Sequence, residues 1–369
     1  MKIIFLSNIF NHHQKSLSDE LFKLNPDYFF VETEDMHDEQ RNMGYAVAEK
    51  LPYVLSYEHD RLFCDKLINE ADVVIIGSAP EQLIKRRKWN SQLVVRYSER
   101  PFKKKQNLFY YLYWFFRMNL MTPFWKPIYM LCAGAYVASD YKLFGMYIGK
   151  TYKWGYFTSV KEFESLDDVL DRKRKYSILW ASRLIPWKHP EIAIELAGYL
   201  KDRSIPFVIS IIGTGICEES LRKMVNQKHL NNQVNLLGLM NPVQVREYME
   251  QSEIFISTSD RMEGWGATVN EAMSSLCAVV ADERIGSVPF LIENGDNGFS
   301  YKTKLELFEF VENLLRDNEK RKMIAKNAYQ TMQKLWNPKV AANRLLTLLE
   351  KLRQKGQSDL FEFGPCSRA

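Results

Sequence analysis

The sequence lacks the residue patterns that identify several common classes of protein. Its five cysteines are scattered and never form a C-x-x-C pair, which argues against a disulfide framework or a zinc site and favours a reducing compartment. No G-x-x-x-x-G-K-(S/T) run occurs, so P-loop chemistry is excluded. The G-x-G at Gly213 and Gly215 has Glu218 where a dinucleotide fingerprint needs its third glycine, which argues against an NAD or FAD site there.

Long apolar runs are also missing. The most hydrophobic region, residues 108–138, is interrupted by Arg117, Lys126 and two prolines, whereas a helix needs roughly 20 consecutive apolar residues to span a bilayer. The apolar run at residues 3–6 is too short for a secretory signal and is typical of a first β-strand. We therefore expect no transmembrane helix and a cytoplasmic location.

The composition is that of a globular α/β protein with two domains. The chain has 369 residues, a formal charge of +5 and an apolar fraction of 46%, and its length exceeds what one hydrophobic core usually fills. Short apolar segments alternate with helix-like segments, which favours parallel, doubly wound sheets. The predicted divisions are an N-terminal domain at 1–160, a linker at 161–175, a second domain at 176–335, a helix at 336–355 and a mobile tail at 356–369.

A strand-to-helix turn is predicted around Gly264 and Gly266. The apolar segment 253–257 before it is typical of a buried parallel strand, and residues 268–276 after it contain no proline or glycine and favour a helix. The missing Cβ atoms of the two glycines let the backbone approach a ligand closely. The free N–H groups at the start of the following helix provide a site for an anion.

Two glutamates eight residues apart flank this turn. Glu263 lies in the turn itself, and Glu271 lies about one turn inside the predicted helix. Two carboxylates beside an anion-binding turn suit a ligand that carries both hydroxyls and phosphates.

A second loop, between a strand at 176–181 and a helix that begins near Pro190, carries Arg183 and Lys188. The loop is predicted at the carboxyl edge of a sheet, where ligands bind in doubly wound folds. Arginine offers a planar fork of donors and lysine a point charge, and the two together neutralise a diphosphate.

These elements resemble the retaining glycosyltransferases of GT-B fold that are grouped as family 4. Glu263 and Glu271 match the family's E-x7-E signature, and Arg183 and Lys188 match its Arg-x4-Lys element. The resemblance implies a GT-B fold, with two doubly wound Rossmann-like domains facing across a cleft. It also implies that the helix at 336–355 crosses back onto the first domain.

The resemblance also implies roles for individual residues. Arg183 and Lys188 would hold the donor's pyrophosphate, Glu263 would contact hydroxyls of the transferred sugar, and Glu271 would bind the ribose hydroxyls. The remaining expected donor-binding residues are glycines and one tryptophan on loops at the same sheet edge: Gly213, Gly238, Gly264, Trp265 and Gly266.

The first half departs from the family pattern. Family members often have a glycine-rich loop after the first strand, where this chain has His12, His13 and Gln14. Many also place a catalytic histidine after a later strand, where this chain has Glu99 and Arg100. We expect His13 to be catalytic and His12, Gln14, Glu99 and Arg100 to lie on the acceptor side. The alternative for the histidines is an ordinary helix start with two solvated side chains.

The second half departs at one place. The family's Gly-Gly before a Pro-Glu pair is here Gly286 and Ser287, and Phe290 replaces the glutamate.

A segment rich in basic and aromatic residues extends from Lys85 to Lys126. Basic blocks at 85–88 and 103–105 precede an aromatic run at 109–116. Such a composition suits contact with an anionic membrane surface. A helix with a core-facing aromatic side and a solvated basic rim is the alternative, and no sequence module for nucleic-acid binding is present, so we expect no nucleic-acid partner.

The sequence therefore predicts metal-independent transfer of a sugar from a nucleotide diphosphate donor to a hydroxyl acceptor, with retention at the anomeric carbon. No D-x-D pair occurs in the sequence, so the carboxylates by which GT-A enzymes hold a metal are missing, and no cofactor is expected. A lipid-linked glycan is the expected acceptor, at the inner face of the membrane. The alternatives are a GT-B-fold epimerase or phosphorylase and a non-catalytic protein that binds nucleotide sugars.

Overall fold

The computed structural model describes residues 1–36, 49–85, 92–103, 108–121, 127–356 and 359–369. The chain forms two compact units. The first contains Met1–Ser159 together with Trp336–Ala369, and the second contains Val160–Leu335. In the described part of the chain, no helix is both long and apolar enough to cross a bilayer.

The described residues of the first unit form seven strands and the helices between them. Its strands are β1 Ile3–Ser7, β2 Tyr28–Glu32, β3 Val54–Ser56, β4 Val73–Ile76, β5 Leu93–Ser98, β6 Ile128–Ala133 and β7 Thr151–Trp154. Its described helices are α1 His12–Leu24, α2 Arg61–Glu70, α3 Leu108–Met121 and α4 Val137–Lys142, with a 3-10 turn at Glu81–Ile84. The long helix α13, Pro338–Lys355, also belongs to this unit.

The first sheet is parallel throughout, in the order β3-β2-β1-β4-β5-β6-β7. Its central strands are continuous apolar runs, such as the fully buried Val73–Ile76, because helices cover both faces of a parallel sheet. The strand order reverses between β1 and β4, and the loops after these two strands therefore meet at the carboxyl edge.

The second unit repeats the same architecture with six strands. They are β8 Arg174–Ala181, β9 Val208–Ile212, β10 Val234–Gly238, β11 Ser252–Ser257, β12 Ala278–Asp282 and β13 Phe299–Tyr301. The helices are α5 Leu166–Asp171, α6 Glu191–Asp202, α7 Glu218–Gln227, α8 Pro242–Gln251, α9 Ala267–Ser274, α10 Val288–Leu291, α11 Lys304–Arg316 and α12 Asn318–Lys334, with a 3-10 turn at Pro186–Lys188.

The second sheet is also parallel, in the order β10-β9-β8-β11-β12-β13. Counted along this unit, the order is 3-2-1-4-5-6, that of a dinucleotide-binding sheet. The order reverses between β8 and β11, which pair directly. Ligands of such sheets bind in the crevice beyond these two strands, so the topology marks the loops after β8 and β11.

Local sequence explains where several helices begin. Asn241 accepts the N–H of Gln244 and receives the Gln244 side chain on its own N–H, and Pro242 occupies the first helical position of α8. Thr303 and Glu306 form the same reciprocal arrangement at the start of α11. These side chains satisfy N–H groups that a helix start leaves without partners.

Two of the predicted segments have more structure than expected. Residues 161–175 contain helix α5 and the first residues of β8, because Ser165 caps the helix by accepting the N–H of Asp168.

Residues 359–369, which were predicted as part of a mobile tail, contain backbone groups that pair with β7. The N–H of Cys366 donates to the carbonyl of Lys153 at 2.8 Å, and the N–H of Lys153 donates to the carbonyl of Ser367 at 2.7 Å. Cys366 is 1% exposed. This segment is ordered because the free edge of β7 offers backbone groups that it can pair with.

Candidate active site

The loops that follow β8 and β11 lie side by side at the carboxyl edge of the second sheet. The N–H of Asp260, in the second loop, donates to the carbonyl of Trp187, in the first, at 3.0 Å. This contact joins the two segments from which the sequence analysis predicted a diphosphate site.

The loop after β8 presents two cations in different environments. Arg183 is exposed and forms no ion pair with the residues that the structure describes, whereas Lys188 is 8% exposed. The Arg183 guanidinium carbon lies 5.9 Å from the centroid of the Trp187 ring, and Lys188 Nζ lies 4.5 Å from the same centroid. The Trp187 ring is therefore within cation–π distance of both positive groups.

Lys188 and Glu263 form an ion pair. The ammonium of Lys188 donates to Glu263 Oε2, and the two side chains are only 10% and 15% exposed. The pair brings together two residues that the sequence assigned to one donor site. It also means that Glu263 neutralises Lys188, while Arg183 remains available to an incoming anion.

Gly213 lets the loop after β9 approach the Arg183 loop. Its φ is +140°, and a Cβ there would lie 1.8 Å from the carbonyl oxygen of Ser182. Its N–H donates to the carbonyl of Gly238 at 2.8 Å. The N–H and the side-chain position of Gly213 are both taken by neighbouring backbone, and its contact with the donor stays a prediction.

Gly238 has a φ of +74° and open space where a Cβ would be. Its carbonyl accepts the N–H of Gly213, which connects the end of β10 to the same loop. A left-handed backbone of this kind favours glycine.

The turn after β11 is shaped by Gly266. Its φ is +86°, and a Cβ there would lie 2.6 Å from Cγ2 of Ile285. Helix α9 starts at the next residue, Ala267, one residue before the predicted start. Gly264, two residues before Gly266, is buried. The contact with Ile285 shows that the turn is packed closely against the loop that follows β12.

Trp265 has a structural role in this turn. Its side chain is fully buried, and its indole N–H donates to Asn270 Oδ1 at 2.8 Å. Its carbonyl accepts the N–H of Ser287 at 3.0 Å. These bonds fix the turn to both α9 and the start of α10.

Glu271 lies on α9 and is partly buried. Burial raises the pKa of its carboxyl to about 7, against a weaker opposing effect of Arg246. Arg246 Nη1 donates to the Glu271 carbonyl at 2.8 Å. The carboxyl is thus poised to accept or donate hydrogen bonds near neutral pH.

Lys173 contacts the carboxyl end of α9. Its position in the predicted linker gave no indication of this role. Lys173 Nζ lies 2.9 Å from the carbonyl oxygen of Ser275, which follows α9. It also lies within 3.0 Å of the carbonyl oxygens of Met249, Glu250 and Ser252. Burial lowers the pKa of its ammonium, and the carbonyls at two helix ends favour its charged form.

In the first unit, His12, His13 and Gln14 form the first turn of α1. Asn11 caps this helix by accepting the N–H of His13 at 2.9 Å, and its own N–H donates to Gln14 Oε1 at 3.2 Å. Gln14, expected on the acceptor side, therefore has a helix-capping role. The two histidine rings are 3.9 Å apart.

His13 is neutral at physiological pH. Burial, with a smaller contribution from neighbouring His12, lowers its pKa to about 3. General-base catalysis is most effective when the pKa is near the working pH, so His13 is a poor general base in this state, although its ring remains able to hydrogen-bond.

In the first unit, Tyr156 connects Glu99 to His13, whereas Arg100 has a different partner. The hydroxyl of Tyr156 donates to Glu99 Oε1 at 2.7 Å, and the Tyr156 ring stacks on His13 with centroids 5.7 Å apart. Arg100 instead donates twice to Asp140, at 3.1 and 3.2 Å, and both side chains are nearly buried. Arg100 therefore has a structural partner that explains its charge.

Comparison with known proteins supports a family assignment for the second unit. Residues 162–331 match the model of the family described as Glycosyl transferases group 1. A curated relative, the amylovoran biosynthesis glycosyltransferase AmsK of Erwinia amylovora, is 32% identical over 127 residues, which cover 33% of this chain and 31% of the relative. The chain thus spans about a third of that relative's length.

Solved structures of similar fold cover nearly the whole chain. TarM has a TM-score of 0.70 at 12% identity, covering 95% of this chain and 99% of its own. Anabaena Alr3699/HepE in complex with UDP has a TM-score of 0.69 at 16% identity, covering 95% and 100%. The prediction of a GT-B fold with two Rossmann-like domains is confirmed by the two parallel sheets and by these structures.

Proposed function

We propose that the protein is a retaining glycosyltransferase of family 4, because residues 162–331 match the model of the family described as Glycosyl transferases group 1. It moves a hexosyl group from a nucleoside diphosphate sugar to a hydroxyl acceptor. One observation carries the proposal: Arg183, Lys188 and Glu263 meet at the point where the strand order of the second sheet reverses.

Two cations at this point suit the chemistry of the departing group. Negative charge develops on the diphosphate as the glycosidic bond breaks, so positive groups that are already in place lower the barrier. Arg183 faces solvent and would meet the diphosphate first. Lys188 would then exchange its partner, from the Glu263 carboxylate to a phosphate oxygen.

That exchange gives Glu263 a role of its own. Once Lys188 contacts the diphosphate, the Glu263 carboxylate is available to accept hydrogen bonds from hydroxyls of the transferred sugar. The ion pair thus keeps both side chains oriented before the donor arrives, which reduces the reorganisation needed during binding.

Glu271 would bind the ribose of the donor. Ribose hydroxyls that donate hydrogen bonds to a carboxylate favour its charged form and lower its pKa. Since the pKa of Glu271 is about 7 without such bonds, donor binding should release a proton near neutral pH.

We propose that the transfer needs no metal ion and no cofactor. The sequence has no D-x-D pair, and Arg183 and Lys188 supply positive charge at the expected position of the diphosphate. Activity in the presence of excess EDTA is the corresponding test.

We propose UDP as the nucleotide, since Anabaena Alr3699/HepE, whose fold is similar, has been crystallised with UDP. Parallel assays with UDP-, GDP- and ADP-linked sugars test this choice directly.

The acceptor we propose is a lipid-linked glycan at an anionic membrane surface. Helix α3 supports this part of the proposal, since Tyr110, Tyr111 and Trp114 pack toward the core, whereas Phe109 and Phe116 are 81% and 63% exposed. An exposed aromatic face beside a basic sequence suits the headgroup region. Parts of the basic blocks, residues 86–88 and 104–105, lie outside the described residues.

Membrane contact is tested by co-sedimentation with vesicles. Replacing Phe109 and Phe116 with serine should reduce binding to vesicles containing phosphatidylglycerol. Leu305→Ser is the control, because Leu305 is 56% exposed but lies on α11 in the other unit. Equal binding by all variants would remove the membrane from the proposal.

The activity itself is tested by incubating the protein with each nucleotide sugar and a hydroxyl acceptor. Release of nucleoside diphosphate together with a glycosylated product supports transfer. A changed sugar without a glycosylated product would indicate an epimerase, and formation of a sugar phosphate from inorganic phosphate would indicate a phosphorylase. Tight nucleotide binding without any turnover would indicate a non-catalytic protein.

A further inference from the structure

A buried hydroxyl joins the two loops of the candidate active site. Thr258 follows β11 directly and is 1% exposed. Its Oγ1 lies 2.7 Å from the carbonyl oxygen of Lys188 and 3.0 Å from that of His189. The indole N–H of Trp180, on β8, donates to the same Oγ1 at 2.8 Å.

The direction of these hydrogen bonds follows from the chemistry of the groups. An indole N–H can only donate and a peptide carbonyl can only accept, so the hydroxyl of Thr258 must accept from Trp180 and direct its single proton toward the loop carbonyls. Trp180 and Lys188 are 2% and 8% exposed, so loss of the hydroxyl would leave the indole N–H and the Lys188 carbonyl without this partner. The orientation of the hydroxyl is therefore fixed.

The backbone at this point has an unfavourable conformation. His189 has φ +50° and ψ +51°, a left-handed conformation that is unfavourable for residues other than glycine. Its ring Nδ1 lies 2.9 Å from Glu191 Oε1, and its Nε2 lies 3.5 Å from Asp260 Oδ2. Glu191, on the helix that follows, and Asp260, in the loop after β11, thus hold the backbone immediately after Lys188.

We propose that Thr258 is a positioning residue for Lys188, an inference that rests on the proposed function. Its hydroxyl, oriented by Trp180, fixes the Lys188 and His189 carbonyls, and this in turn sets the point from which the Lys188 side chain reaches Glu263 or a donor phosphate. Thr258 itself need not touch the donor.

Valine and serine substitutions separate this role from packing. Thr258→Val keeps the shape of the side chain and removes the hydroxyl, while Thr258→Ser keeps the hydroxyl. Thr331→Val is the matched control, because the Thr331 hydroxyl also accepts an N–H, from Asn297 at 2.9 Å, and donates to a backbone carbonyl, of Asn327 at 2.9 Å. Thr331 lies on α12, outside the loops of the site.

UDP affinity by calorimetry and KM for the donor sugar are measured at a temperature where all variants are folded. We expect Thr258→Val to weaken UDP binding and raise KM by about tenfold, the effect of misplacing one charged contact. Thr258→Ser should stay within about twofold of the parent protein, and Thr331→Val should lower thermal stability without changing KM. If the Thr258 hydroxyl only stabilised the fold, Thr258→Val would behave like Thr331→Val: its thermal stability would fall and its KM would not change.

The outcomes distinguish the two proposals. If the parent protein binds UDP and Thr258→Val binds it equally well, the positioning role is wrong and the proposed function is unaffected. If the parent protein binds no nucleoside diphosphate, both fail. Should Thr258→Val not fold, Trp180→Phe serves in its place, because it removes the indole donor and keeps an aromatic ring; unchanged UDP affinity in that variant would also overturn the role.

Discussion

The cations of the candidate site differ in ways that their sequence positions do not indicate. Arg183 is exposed, whereas Lys188 is buried against Glu263. The spacing of basic residues on a predicted loop was enough to predict both as ligands of a diphosphate. The ion pair could not be predicted, because it joins residues 75 positions apart through the pairing of β8 with β11.

Replacing Lys188 with methionine tests the ion pair. The substitution leaves the Glu263 carboxylate nearly buried without its partner, and we expect the second unit to lose about 3 kcal/mol of stability. Turnover should fall about 100-fold or more, because a preorganised positive group is lost. Chemical denaturation and donor kinetics provide the two measurements.

A second substitution separates the two effects. In Lys188→Met combined with Glu263→Gln, stability should recover while activity remains low. Arg183→Gln should leave stability within about 0.5 kcal/mol of the parent protein, because Arg183 is exposed. Full activity in Lys188→Met would contradict the role of the pair.

The pKa of Glu271 predicts a pH dependence of stability. In the folded protein the carboxyl titrates near 7, and in the unfolded chain near 4.3. The folded state therefore binds more protons between these values, and its stability falls as the pH rises through this interval.

Glu271→Gln mimics the protonated side chain and should remove this dependence. We expect the variant to gain about 1–3 kcal/mol of stability relative to the parent protein between pH 5 and pH 8. Urea denaturation at both pH values measures the difference, with Glu247→Gln on the exposed side of α8 as the control. A constant difference between variant and parent would show that the carboxyl is not shifted in the folded state.

Among the structural elements, the strands of the second sheet and their loops are the parts that the sequence indicated best. Apolar segments marked β8 and β11, predicted at 176–181 and 253–257, because both faces of a parallel sheet are buried. The predicted helix at 268–276 is observed as Ala267–Ser274.

Other elements were missed for physical reasons. The strand Ile128–Ala133 lies within the hydrophobic region 108–138, where its apolar residues do not stand out from their flanks, and Thr151–Trp154 is short and contains a lysine. The role of Gly213 in loop packing was also not visible, because the atom that it accommodates, the Ser182 carbonyl oxygen, comes from another strand's loop.

Gly213→Ala tests how closely these loops are packed. The new Cβ would overlap the Ser182 carbonyl at 1.8 Å, so the Arg183 loop must move. We expect a loss of about 3 kcal/mol or more in stability and weaker UDP binding in the protein that remains folded.

Gly295→Ala is the matched control for this change. Gly295 also has a left-handed backbone, with φ +83°, but nothing lies within 4 Å of its Cβ position. Its substitution should lower stability by only about 1–2 kcal/mol and leave UDP binding unchanged. Equal effects of the two substitutions would show that loop packing is not the cause.

Over the whole molecule, the chain leaves the first unit at Ser159 and returns to it at Trp336. After α13, residues 359–369 pair with β7, and Thr151 Oγ1 donates to the Ala369 carbonyl at 3.1 Å. This pairing could not be predicted, since residues 359–369 have no alternating apolar pattern. Its order depends on an edge strand that is distant in the chain.

Deleting residues 359–369 tests the contribution of this segment. The deletion removes backbone hydrogen bonds to β7 and the buried Cys366 side chain, so we expect the first unit to lose about 2–4 kcal/mol of stability. It also exposes the edge of β7, which favours self-association. Thermal unfolding and light scattering measure the two effects, and a deletion variant with unchanged melting and monodispersity would contradict the prediction.

The central claim is that Arg183 and Lys188 jointly hold the diphosphate of a nucleotide sugar, and calorimetric titration of UDP tests it most directly. We expect measurable binding to the parent protein in the presence of EDTA, with release of a proton near neutral pH. The double variant Arg183→Gln, Lys188→Met should bind at least about 100-fold more weakly while remaining folded. UDP affinity equal to that of the parent protein in the folded double variant would contradict the claim.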